Sequence, residues 1–124
     1  QEMVGASSRA EAALIAAERG EEEAVLAWLE DGGRADARYE KDGVSGLTLL
    51  MGAAREGRER VVELLLRRGA EVSLQDSNGD SALMAAASNG HGRVVDLLIR
   101  CGAEINLQNS GGFTALMYAA NNGH

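Results

Sequence analysis

The chain has 124 residues, 45% of them apolar and 25% charged, with a formal net charge of -7, which suits one soluble folded domain. The acidic balance argues against a nucleic-acid binder, which needs a basic face to release phosphate counterions, and against docking on anionic membranes. A single cysteine, Cys101, rules out an intrachain disulfide, and no apolar run approaches the roughly 18–20 residues of a membrane-spanning helix.

Aromatic residues are scarce, so the core must come from Ala, Leu, Val, Ile and Met; Trp28, Tyr39, Phe113 and Tyr118 are the only ones. Sixteen glycines stand beside no proline, which fits a chain whose helices are ended by glycine. Residues 1–10 hold no apolar stretch of a secretory leader. With one thiol, a reducing compartment is expected, hence an intracellular location, cytoplasmic or nuclear. The chain begins with Gln and stops in mid-pattern, so a longer protein is expected.

Glycine sets the register. Gly57, Gly90 and Gly123 are spaced by 33 residues, as are Leu50, Leu83 and Leu116, and Ala54, Ala87 and Ala120. A period of this size marks stacked supersecondary units in place of one closed core. Residues 1–10 read as an N-terminal extension. A degenerate first unit follows at about 11–42, where Gly20 and Gly32 fix the register and Ala13, Ala17, Val25, Trp28 and Leu29 take the apolar slots. Trp28 stands where later units hold Leu65 and Leu98, and reads as core or as a cover for the N-terminal end. Glu21, Glu22 and Glu23 open a helix, where negative charge complements the dipole.

Four extra residues then fall between Arg38 and Leu47. This longer turn, Tyr39-Glu40-Lys41-Asp42, reads as a solvated spacer, with a specificity finger as the alternative. The second unit spans about 43–75: Thr48 caps, Leu50, Ala53 and Ala54 form a small apolar face, and Gly57 breaks the helix. Val61, Val62, Leu64, Leu65 and Leu66 make a second helix that stops at Gly69. The third unit, 76–108, repeats this from the turn Asp76-Ser77-Asn78-Gly79, through the cap Ser81, to Gly102. The partial fourth unit, 109–124, has the cap Thr114 and only a first helix. No pair of helices can bury its Leu/Val ridge alone, so the units must stack.

These residues resemble the ankyrin repeat. Ser81-Ala82-Leu83-Met84-x-Ala86-Ala87 and Thr114-Ala115-Leu116-Met117-x-Ala119-Ala120 are similar to its T-P-L-H-x-A-A. Val61-Val62-x-Leu64-Leu65-Leu66-x-x-Gly69-Ala70 and Val94-Val95-x-Leu97-Leu98-Ile99-x-x-Gly102-Ala103 follow its second-helix pattern. The resemblance implies an all-α ankyrin solenoid of helix-turn-helix units with short β-hairpin-like turns over residues 11–124. The chain departs from the family at the proline, held by Leu49, Ala82 or Ala115, and at the histidine, held by Met51, Met84 or Met117. That histidine helps tie neighbouring turns together, so its loss puts the tie in doubt. The three methionines read as packed between first helices, with an adaptable apolar stripe as the alternative.

The resemblance further implies a non-catalytic module that binds a protein or peptide in the concave groove of turn tips and first helices. Carried over position by position, the tips supply Val44, Ser45 and Leu47, then Ser77, Asn78 and Asp80, then Ser110, Gly111 and Phe113. The helices supply Arg55 and Glu56, Ser88 and Asn89, and Asn121 and Asn122. Leu47 and Phe113 are apolar where the middle unit has Asp80, and an exposed aromatic is a favoured anchor; the other reading folds Phe113 over its own turn. Asn106 matches a position that asparaginyl hydroxylases modify in some members, although most such Asn simply stabilise the turn.

Chemistry is sparse. His91 and His124 are equivalent by the repeat, and with one distant Cys they form no zinc spacing. No nucleophile has a base and orienter nearby, and no glycine loop cradles phosphate. Asp76 to Asp80 hints at a calcium loop but lacks its closing Glu. No enzyme activity, metal or cofactor is expected. Two other functional readings stay open: a regulatory or targeting segment of a larger enzyme or channel, and self-association through the apolar C-terminal end of the stack.

Overall fold

A computed structural model describes residues 2–124, with side chains from residue 9 onward. Among them are seven helices and one hairpin: α1 (Glu2–Arg19), α2 (Glu22–Glu30), β1 (Tyr39–Lys41), β2 (Val44–Leu47), α3 (Leu49–Arg55), α4 (Glu59–Arg67), α5 (Ala82–Ser88), α6 (Gly92–Arg100) and α7 (Ala115–Asn121). The first helices α1, α3, α5 and α7 pack side by side in one row, and α2, α4 and α6 form a second row behind them. This is the expected helix-turn-helix solenoid. The boundary expected at residue 10 falls inside α1, which runs unbroken from Glu2.

Each first helix starts on a hydroxyl. Thr48, Ser81 and Thr114 are extended, and their side-chain oxygens each accept from the N–H three residues on, at 3.3 Å. These are the caps the sequence pointed to. Each helix stops at glycine: Gly57 and Gly90 adopt φ of 73° and 74°, a region costly for other residues. The residue after each then donates back into the helix, Arg58 to Ala53 and His91 to Ala86.

The interface between units is built from small residues. Ala53, Ala54 and Ala86 are fully buried and Ala87 nearly so, which lets the helices approach closely; Leu65 and Leu98 are fully buried behind them. Gly52 goes further, because a Cβ there would come within 3.1 Å of Leu14 and Glu18 on α1. Trp28, by contrast, is only half-buried, unlike Leu65 and Leu98. It borders an open hollow with Arg9, Ala12, Ala13 and Ala24, so it covers the N-terminal end of the stack.

The long turn is not a solvated spacer. Tyr39–Lys41 pairs antiparallel with Val44–Leu47, turning through Asp42 and Gly43, both at positive φ. Tyr39 is buried at 7% exposure, and Lys41 reaches α1. Side-chain burial against the first unit, absent from any local turn signal, makes it a packed hairpin.

Neighbouring turns are tied without the family histidine. The Ser77 N–H donates to the Ser45 carbonyl at 2.8 Å, and the Ser45 N–H returns to the Ser77 hydroxyl at 3.0 Å. The Ser110 N–H donates to the Asn78 carbonyl at 2.9 Å. The Gln75 amide spans from Gly79 to Gln108 in the next unit. The first helices are joined by side chains reaching back to the carbonyl near the end of the preceding first helix: Arg58 to Glu18, His91 to Arg55 and Asn122 to Ser88. Arg58 therefore does in its unit what His91 does in the next.

Candidate functional site

Hairpin tips and first helices enclose an open groove of about 260 Å³. Its floor is apolar, from Leu14, Met51 and Met84, with Val44 and Leu47 at the tip side. Methionine sits here because the position faces the next first helix. Met51 is 5% exposed and Met84 1%, so both are packed between units, and the Met51 sulfur also accepts from the Thr48 N–H at 3.4 Å. Met117, with no helix beyond it among the described residues, is 48% exposed. An apolar stripe of three equivalent methionines is therefore not formed.

Polar side chains close the groove at both ends. At one end Lys41 Nζ lies 3.0 and 3.1 Å from the two oxygens of Glu18, and Arg55 Nη2 lies 3.4 Å from the second. Glu18 is only 15% exposed, so this pair is shielded better than an ordinary surface ion pair. At the other end Asp80 Oδ1 accepts from the Asn109 amide at 2.9 Å and the Tyr118 hydroxyl at 3.2 Å. The Tyr118 oxygen in turn accepts from Asn109 at 2.6 Å. Partial burial, then the negative charge of Asp80 and its hydrogen bond, with a smaller push from Asp76, hold the Tyr118 phenol above its ordinary pKa; the Asn109 hydrogen bond works the other way.

The groove takes in Val44, Leu47, Arg55, Asn78, Asp80, Ser88 and Asn89 from the residues expected at the site. Ser45, Glu56, Ser77, Ser110, Gly111, Phe113, Asn121 and Asn122 are not part of its lining. Several have local work instead. Ser45, Ser77 and Ser110 join the turns, and Asn122 donates to both the Ser88 carbonyl and hydroxyl. Phe113 is 40% exposed, but its ring lies 5.3 Å from that of Tyr118, and its N–H is held by Asn109 Oδ1. Its ring thus lies over its own turn, against Tyr118. Leu47 is part of β2 and packs on the core.

Sequence reasoning missed Glu18, Ala85 and Tyr118, and reached Lys41 only as part of the spacer or specificity finger. Ala85 and Tyr118 share one repeat position with Gly52, and that variation in size was visible as a signal. The Glu18–Lys41 pair was not, since it depends on how the hairpin folds onto α1.

The family profile described as "Ankyrin repeats (3 copies)" matches residues 50–124. The chain therefore belongs to the ankyrin repeat family, whose members are generally protein–protein interaction modules and typically non-catalytic. No curated protein matches the chain. Among the described residues no group of three or more His, Cys, Asp or Glu is arranged to hold a metal ion, and no helix is long and apolar enough to cross a membrane.

Proposed function

We propose that this chain is a non-catalytic interaction module that receives a peptide or protein segment in the groove between the hairpin tips and the first helices. One observation carries this reading: the groove joins an apolar floor to polar ends, and its lining comes from all four repeat units, from Leu14 to Tyr118. At about 260 Å³ it is below the roughly 300–1,000 Å³ of pockets that engulf a small molecule. An open trough of that kind suits side chains of an extended or folded partner.

Ala85 offers the test. It lines the groove at the position where the next unit carries Tyr118, so Ala85→Tyr fills the trough with a residue this helix position accepts. Affinity capture with the wild-type chain and with Ala85→Tyr should yield partners retained by the first and lost by the second, at equal helicity by circular dichroism. A partner captured equally by both refutes groove binding.

A second reading, self-association, rests on the apolar end face, where Ile99 is 42% exposed, Ile105 53% and Leu116 78%. Light scattering across concentrations tests it: a constant monomer mass eliminates it.

A further inference from the structure

The groove has a charge as well as a shape. Four carboxylates line it, Glu18, Asp42, Asp76 and Asp80, against two cations, Lys41 and Arg55. Both cations are engaged by Glu18. Among the described residues, Asp42, Asp76 and Asp80 have no cation within ion-pair distance.

Two of these aspartates use one oxygen inward. Asp76 Oδ1 accepts from the N–H groups of Asn78 and Asp80, at 2.8 and 3.0 Å, and Asp80 Oδ1 takes Asn109 and Tyr118. No hydrogen bond among the described residues ends on the second oxygen of either. Three uncompensated carboxylates around a concave apolar floor focus negative potential where water is displaced most easily.

Resting on the groove reading above, we propose that the occupant is an extended peptide segment whose Lys or Arg side chains flank an apolar residue. The apolar side chain rests in the groove against Val44, Leu47 and Ala85, which keep part of their surface open, and the flanking cations meet Asp42 on the hairpin side and Asp76 and Asp80 on the other. Acidic segments and phosphate groups are repelled from the same surface.

The three aspartates can be neutralised at little cost in fold. Asn109 Oδ1 accepts from the N–H groups of Gly111 and Phe113, both at 2.9 Å, so an amide already serves in the next turn where Asp76 serves in its own. Asp42 has φ of 53°, which Asn tolerates. An amide oxygen at position 80 still accepts from Asn109 and Tyr118. The triple variant Asp42→Asn, Asp76→Asn, Asp80→Asn therefore changes charge and little else.

A random dodecapeptide phage library is selected on the wild-type 124-residue chain, and the selected peptides are synthesised and titrated by fluorescence anisotropy. Expected are sequences enriched in Lys and Arg beside apolar residues. They should weaken about tenfold on the triple Asn variant and on raising salt, since three exposed pairs each contribute modestly, and Ala85→Tyr should abolish their binding. Peptides that are lost on Ala85→Tyr but carry no Lys or Arg excess, and bind the triple variant equally, leave the groove standing and overturn the cationic occupant. Peptides indifferent to Ala85→Tyr, or no selected peptide at all, overturn the groove reading and this one with it. Should the triple variant lose its circular dichroism, Asp42→Asn alone and the salt dependence give the same readout.

Discussion

Tyr39 and Trp28 show how single side chains adapt the first unit to the stack. The Tyr39 hydroxyl is buried and has no hydrogen-bond partner among the described residues, and burial pushes its pKa up to about 12. The folded chain thus holds the phenolic proton more tightly than the unfolded one, whose tyrosine titrates near 10. Stability is intact below about pH 10 and falls as pH rises towards about 12. Tyr39→Phe keeps the ring and removes the orphan hydroxyl, so at neutral pH it should be at least as stable, by up to about 1 kcal/mol. Its alkaline loss should also be shallower. Urea unfolding followed by circular dichroism from neutral to alkaline pH checks both, and parallel curves would show that Tyr39 is not the titrating group. Gly33 occupies the position of the buried Ala70 and Ala103, but a Cβ there would collide with the Trp28 ring. Gly33→Ala should cost about 1–3 kcal/mol by overpacking. In a Trp28→Leu background that cost should vanish, a coupling a double-mutant cycle measures; additive effects would mean the two positions are independent.

The first helices from the second unit onward have seven residues each, too short to persist alone, so their caps matter in proportion to what surrounds them. Ser81 is 3% exposed and the Met84 that it caps 1%. Without the hydroxyl, the Met84 N–H is left unsatisfied away from water. At α7 the capped residue Met117 is 48% exposed, and water can replace the Thr114 oxygen. Ser81→Ala should therefore cost about 1–2 kcal/mol and Thr114→Ala a few tenths. Denaturant midpoints decide it, and equal losses would mean that burial does not set the value of a cap here. The hairpin teaches the reverse lesson. Its four extra residues were legible as added length, but its strands and the burial of Tyr39 were not, because the partners that order it lie on β2 and α1.

At the scale of the molecule, cohesion among the described residues runs mainly between neighbours. α1 contacts α3, α3 contacts α5, and α5 contacts α7. The outer helices repeat a pair of weak ion pairs, Arg60 with Glu22 at 3.8 Å and Arg93 with Glu59 at 3.9 Å. Such an array loosens locally before it unfolds globally. Leu98 is fully buried, and Leu98→Ala should cost about 2–5 kcal/mol. Hydrogen exchange should show the loss concentrated in α5, α6 and α7, with α1 and α2 protected. A uniform loss along the chain would contradict nearest-neighbour coupling.

The repeat, its register, the caps at Thr48, Ser81 and Thr114 and the glycine stops were all legible in the sequence. Each follows from short-range chemistry: one hydroxyl three residues from its N–H, one backbone angle at a time, one period of apolar positions. Tertiary structure alone decided which expected positions line the groove. The same methionine slot is closed at Met84 and open at Met117, since only stacking sets its exposure. Glu18 meets Lys41 across 23 residues and Tyr118 meets Asp80 across 38. Such partners lie on separate elements, so no local pattern along the chain encodes their meeting.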